Sequence, residues 1–140
     1  MTSYKSNLRI VAKRLDKGTD AGLVAAGQQI VNGVQRGLRG GYKGGAFVTG
    51  TNTSSVVMTE PMTRFMERLV LIGTSIADPA YPLFWEIGHF NIFTRKFERK
   101  EVWGPALRDN ADKARAAFAR AVKRAIATGV VLPPQVEGAD

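Results

Sequence analysis

The 140-residue sequence predicts an α+β fold: a small, mainly antiparallel sheet packed by an N-terminal and a C-terminal helix, with extended loop or tail arms. Three observations carry this expectation. Apolar residues recur at helical spacing near both ends, as Leu23, Ile30, Val34 and Leu38 and then as Leu107, Ala111, Ala114, Phe118, Ala121, Val122, Ala125 and Ile126. Between them lie short β-rich runs at residues 55–59 and 68–76, separated by the turn signal Glu60-Pro61. Hydrophobic residues make up 44% of the chain, enough for a folded core. No uninterrupted apolar run approaches the roughly 20 residues that a membrane helix needs.

The elements follow in order. Residues 1–17 form a basic arm or short helix, in which Leu8, Val11 and Leu15 fall at helical spacing among Lys5, Arg9, Lys13 and Arg14. Lys17-Gly18-Thr19-Asp20 reads as a break followed by a cap, with Thr19 or Asp20 accepting the first free amide hydrogens of the next helix. That helix occupies about residues 21–38 and should end at Gly37 or Gly40-Gly41. Gly22, Gly27 and Gly33 each weaken it by roughly 1 kcal/mol relative to alanine, so it depends on tertiary packing or on neighbouring subunits.

Residues 37–53, rich in Gly, Thr and Asn, read as a loop or long hairpin arm. The strand at 68–76 is expected to be mostly buried and to stop at Asp78-Pro79. Residues 81–90 gather Tyr81, Phe84, Trp85 and Phe90 in one or two helical turns against the sheet, and 93–102 suit a half-exposed strand. Trp103-Gly104-Pro105 opens the last helix with Pro105 at its first position, where the missing amide hydrogen costs nothing. Gly129 ends it. The chain thus divides into an arm (1–17), one α+β domain (18–129) and an extended tail (130–140) carrying Pro133-Pro134.

Charge and composition narrow the chemistry. The formal net charge is +8, and residues 1–43 hold eight basic side chains against Asp16 and Asp20. Such a field attracts nucleic acid, acidic protein surfaces or anionic lipid without choosing among them. The absence of cysteine removes disulfides, thiolate metal sites and cysteine nucleophiles, and fits a reducing compartment. Residues 1–15 lack the long apolar stretch of a signal peptide, so the protein is expected to be soluble and to stay where it is made.

Catalytic signals are weak. His89 is the only histidine, which precludes a two-histidine metal site within one chain. Glu86, three residues earlier, could pair with it as acid and base, but a packed, hydrogen-bonded role at the end of the aromatic cluster is the preferred reading of both. Gly37-Leu38-Arg39-Gly40-Gly41 follows a helix, and Lys43 precedes Gly44 where a phosphate-binding loop has Ser or Thr. With Arg36, Tyr42 and Lys43 the same stretch is weakly like the arginine–glycine segments of nucleic-acid binders. Asn52-Thr53-Ser54 matches a glycosylation acceptor, which means nothing without secretion. No enzyme activity and no cofactor is expected.

Three stretches together resemble the tail-completion and head–tail joining family of tailed-phage neck proteins. They are Val48-Thr49-Gly50 followed by Thr53-Ser54-Ser55-Val56, then the run from Asp78-Pro79-Ala80-Tyr81 through Trp85-Glu86-Ile87-Gly88-His89, and then Trp103-Gly104-Pro105-Ala106-Leu107 with Asp109-Asn110. The likeness covers roughly residues 20–128. It departs from the family's pattern in a longer, more charged stretch from 90 to 102 and in the Pro133-Pro134 tail. It implies a virion protein assembled in the host cytoplasm as a ring, about six copies around the axis joining capsid to tail. The partners implied are further copies of itself, a head-side connector or stopper protein, and a tail tube or terminator protein. The genome would pass through the channel and touch it non-specifically, and no membrane is involved. Arg36, Arg39 and Lys43 become candidate channel or partner contacts, while Tyr81, Trp85, Glu86, Gly88, Trp103 and Pro105 are expected to hold the monomer fold. The alternatives are a tail terminator at the same junction, a basic nucleic-acid-binding domain with no virion role, or a small enzyme built on Glu86 and His89.

Overall fold

A computed structural model describes residues 2–39, 54–75, 89–98 and 101–129. It has the α+β architecture anticipated, with a long helix at either end. Among the described residues, helix α1 (Thr2–Arg39) is followed by six three-residue strands: β1 (Val56–Met58), β2 (Met62–Arg64), β3 (Glu67–Leu69), β4 (Ile72–Thr74), β5 (His89–Asn91) and β6 (Lys96–Glu98). Helix α2 (Trp103–Thr128) closes the order. The strands pair antiparallel as three two-stranded ladders, β1 with β4, β2 with β3 and β5 with β6. The chain divides into two compact units, each with its own logic.

The first unit comprises Met1–Gln29, Thr59–Leu71 and Asp112–Asp140. Here α1 and α2 run antiparallel, with Gly18 against Ala125 and Gly22 against Phe118. A Cβ at Gly22 would lie 2.6 Å from Cδ2 of the Phe118 ring, so only glycine lets that ring lie on the α1 backbone. The expected break at Lys17–Asp20 does not occur, and α1 is continuous through it. Its residues have other work: Gly18 is buried beneath α2, and the Thr19 hydroxyl donates to the Leu15 carbonyl 2.9 Å away. Packing of this kind overrides a helix-propensity penalty of about 1 kcal/mol. Arg14 Nη1 donates to the Ile126 carbonyl at 3.1 Å and so satisfies a free carbonyl at the end of α2, which stops at Gly129 (φ +69°).

The β2–β3 hairpin belongs to this unit. Its register pairs Met62 with Leu69, Thr63 with Arg68 and Arg64 with Glu67, so the turn is Phe65-Met66, not Glu60-Pro61. Glu60 and Pro61 instead lie between β1 and β2, outside both ladders. A proline is tolerated there because a position outside the ladders owes no ladder hydrogen bond. The expected buried strand at 68–76 is therefore two short strands, and Glu67 and Arg68 are exposed.

The second unit comprises Ile30–Met58 and Ile72–Ala111, and holds the apolar core. Val31, Val34 and Leu38 from α1 meet Val56 from β1 and Val102 and Ala106 at the start of α2, with Ile30, Met58, Ile72 and Trp103 packed around them. Val34 is fully buried. Helix α1 runs past Gly37, which sits against Val102, and reaches Arg39. At Gly33 a Cβ would collide with the side-chain amide of Asn110, which is itself buried and donates to the Ala106 carbonyl at 2.8 Å. The β1–β4 ladder is closed at its end by Ser75 N–H donating to the Ser55 carbonyl at 2.8 Å.

Three further expectations shift. The helix α2 begins at Trp103, since the Ala106 amide donates to the Val102 carbonyl, so Pro105 is its third residue and not its first. It still lies in the first turn, where the amide has no intrahelical partner. The buried face of α2 is Ala106, Asn110, Ala114, Ala117 and Ala125, leaving Leu107 and Ile126 exposed although the apolar stripe had included both. Residues 93–102 do not make one strand: β5 and β6 fold on each other about a turn at 92–95, and α2 follows.

Candidate assembly surface

The side chains left out of the core are the informative ones. At the tip of the β2–β3 hairpin, Phe65 is 87% exposed and Met66 98%. Both have positive φ, 49° and 67°, the pair of left-handed residues that a two-residue type I′ turn requires. Asn, Asp and Gly adopt that backbone readily, whereas a Cβ-bearing apolar residue is disfavoured by about 1–2 kcal/mol. The turn thus places two large apolar side chains in water, in a conformation their own backbones oppose. Such strain persists where the side chains are needed. The Arg64 guanidinium lies 5.5 Å from the Phe65 ring centroid and shields one of its faces.

The hairpin is braced from below. Arg68 grips Asp20 of α1 through both carboxylate oxygens, Nε to Oδ1 at 2.8 Å and Nη2 to Oδ2 at 2.7 Å, and its Nη1 donates to the Thr63 hydroxyl at 3.0 Å. One guanidinium therefore ties both strands to the helix. The hydrogen bonds from Arg68 hold the Asp20 carboxyl below the usual carboxylate range, and Asp20 in turn raises Arg68.

A second apolar feature of this unit is the outer part of α1. Leu8, Val11 and Leu15 are about half exposed, and with Gly18 and Gly22 they keep a single 3-4-3-4 spacing. At Gly18 and Gly22 that seam faces α2. Beyond Arg14 the helix of α2 has ended, and about twelve residues of α1, roughly 18 Å, run on past it.

The second unit carries its own exposed hairpin. Phe90 and Phe97 are cross-strand partners on one face of β5–β6, 60% and 66% exposed, and Ile92 and Phe93 stand out from the connecting turn. A two-stranded ribbon of this length is marginal by itself in water.

The residues singled out from the sequence are not gathered into one place. Arg36 is exposed on α1, and Arg39 is the helix's last residue. Trp103 packs against the core, and Pro105 is half-buried in the first turn of α2. Lys43, Tyr81, Trp85, Glu86 and Gly88, along with the expected arm at 40–53, the expected tail at 130–140 and residues 81–88 of the helical turns expected at 81–90, lie outside the described residues; His89 and Phe90, expected in those same turns, instead begin β5. Among the described residues no group of three His, Cys, Asp or Glu side chains could hold a metal, and no helix is long and apolar enough to cross a membrane.

Sequence reasoning missed the Phe65-Met66 tip. Residues 62–69 contain no Gly, Asn, Asp or Pro to announce a turn. The available signal was an apolar pair bracketed symmetrically by Thr-Arg and Glu-Arg. No family model matches the chain, and neither does any curated protein or solved structure.

Proposed function

We propose that this protein is a structural component of a tailed-phage neck, a ring that completes the tail and joins it to the head-side connector, with DNA passing through its channel. One observation carries the reading as an assembly protein. Large apolar side chains stand on two hairpins and on a helix extension, where a monomer gains nothing from them. The braced Phe65-Met66 tip is the sharpest instance, because its backbone conformation opposes the residues that occupy it. The assignment to a neck in particular rests on the sequence resemblance at residues 48–56, 78–89 and 103–110. Heterologous contacts that close on themselves build such rings, and projecting elements widen them.

The test is to purify particles of the source phage and quantify this chain against the major capsid protein by mass spectrometry. A low, fixed number of copies, about six as for a closed axial ring, supports the reading. Absence from intact particles overturns it and promotes the basic nucleic-acid-binding alternative, which the +8 net charge favours.

A further inference from the structure

We propose that the Phe65-Met66 tip of one copy docks on the outer α1 segment of a second copy, in the hollow framed by Leu8, Val11, Ala12 and Leu15. The proposal rests on the self-assembly part of the reading above and names the contact that such assembly uses. Four features of the first unit carry it.

The tip has the form of a knob: two side chains almost wholly in water, on a turn held rigid by the Arg68 clamp to Asp20. The seat has the form of a hole. Residues at i, i+3, i+4 and i+7 make the diamond into which a neighbouring side chain inserts, and here the two middle positions, Val11 and Ala12, are small enough to admit a ring. All four are exposed, and they continue the seam that α2 fills at Gly18 and Gly22 but cannot reach beyond Arg14.

Charge decides what meets what. Residues 2–17 hold Lys5, Arg9, Lys13, Arg14 and Lys17 against Asp16 alone, so two such helix segments repel when set side by side. The tip carries Arg64 over its own ring and Glu67 exposed beside it, with no ion pair to Glu67 among the described residues. A tip with no net charge, presenting a carboxylate to a cationic segment, is compatible where like-on-like pairing is not.

Geometry agrees. Tip and seat are different surfaces of one unit, so a copy can give its tip to one neighbour and take the tip of another on its seat, a heterologous contact that forms a ring where the rotation closes. Two side chains on a four-residue seat bury far less than the roughly 800 Å² per partner of a stable pair. This contact is therefore weak alone and gains strength by repetition around a ring.

A weak contact is best captured covalently. The full chain would carry p-benzoylphenylalanine in place of Phe65, mixed with an isotope-labelled copy so that links between copies are told from links within one. Irradiation of the concentrated protein, and of assembled particles, should yield a between-copy link mapped to residues 8–15. Leu8→Ser with Val11→Ser should abolish it. Links only within one copy, links to any other segment or protein, or no link in either setting overturn the proposal. Phe65→Asn with Met66→Gly supplies a variant that must fold, because it relaxes the turn; it should raise Tm while lowering self-association at least tenfold. Unchanged self-association in that variant also overturns the contact. Ring stoichiometry in particles with position 65 linked elsewhere would sink this contact and leave the neck reading standing. A mapped link at residues 8–15 from a chain absent from particles would do the reverse.

Discussion

Phe65 and Met66 show how a single pair of side chains separates stability from function. Replacing them with Asn and Gly removes two disfavoured left-handed backbones and two apolar side chains already in water, at the loss of one exposed contact with Arg64. The isolated protein should gain about 1–2 kcal/mol, read from urea unfolding. A loss of that size instead would mean the tip packs against its own chain. Asp20 and Arg68 give a second residue-scale prediction, this one in pH. The Asp20 carboxyl is held below its ordinary value in the folded chain, so its contribution is complete above about pH 4 and disappears as pH falls through the depressed value. Asp20→Asn should therefore be less stable than the parent at neutral pH, and the gap should close in acid. Both groups are about 40% exposed, so the gap at neutral pH is small and shrinks in salt. A gap that persists unchanged at about pH 2 would show that Asp20 acts through packing and not through charge. Neither pair was legible beforehand. Asp20 reads locally as a helix cap, and its partner lies 48 residues further along, where no local pattern reaches.

At the scale of elements, the helices were legible in existence and the strands in approximate position. The 3.6-residue period of Ile30, Val34 and Leu38 placed the second half of α1 but not its unbroken run from Thr2, and Trp103-Gly104-Pro105 and Gly129 bracketed α2 to within a residue or two. What the period could not show was which small residues face a neighbour. Gly18 looked like a break because glycine weakens helices, yet it is the close approach of α2 that gives it its place. Asn110 is not in the apolar stripe read from the sequence, yet it lies on the buried face, resting on Gly33. That pair makes an element-scale prediction. Gly33→Ala adds helix propensity worth about 1 kcal/mol but drives a methyl into the Asn110 amide and breaks its bond to Ala106, so the net change should be a loss of about 1–2 kcal/mol. In an Asn110→Ala background the obstruction is gone, and the same Gly33→Ala change should become neutral or stabilising. A double-mutant cycle in denaturant reads the difference directly; additivity of the two changes would mean that the helices separate freely at this point.

For the whole molecule, the unresolved competition is between a sleeve around nucleic acid and a protein that grips it. Both need positive charge, and the +8 total alone suits either. They differ in how the charge is used. A gripping domain concentrates its contacts within one copy, so the isolated chain binds duplex DNA tightly at low salt, with an affinity that falls steeply and log-linearly as salt rises. A ring subunit spreads its contacts over many copies and touches the duplex only where the channel closes, so one copy alone meets few phosphates. In the described residues the exposed basic side chains follow the second pattern, dispersed over both helices and two hairpins: Arg9, Lys13 and Lys17 on outer α1, Arg36 near its other end, Arg64 and Arg68 on β2–β3, Arg95 and Lys96 on β5–β6, and Arg108, Lys113, Arg115, Arg120, Lys123 and Arg124 along α2. The isolated protein should therefore bind a short duplex with a Kd weaker than about 10 µM at 150 mM salt, measured by fluorescence anisotropy across a salt series, in the non-specific range. Its salt slope should correspond to only two or three phosphates. Submicromolar binding at that salt, with a slope of six or more phosphates, would show that one copy grips the duplex, and the exposed hairpins would then need a role other than closing a ring.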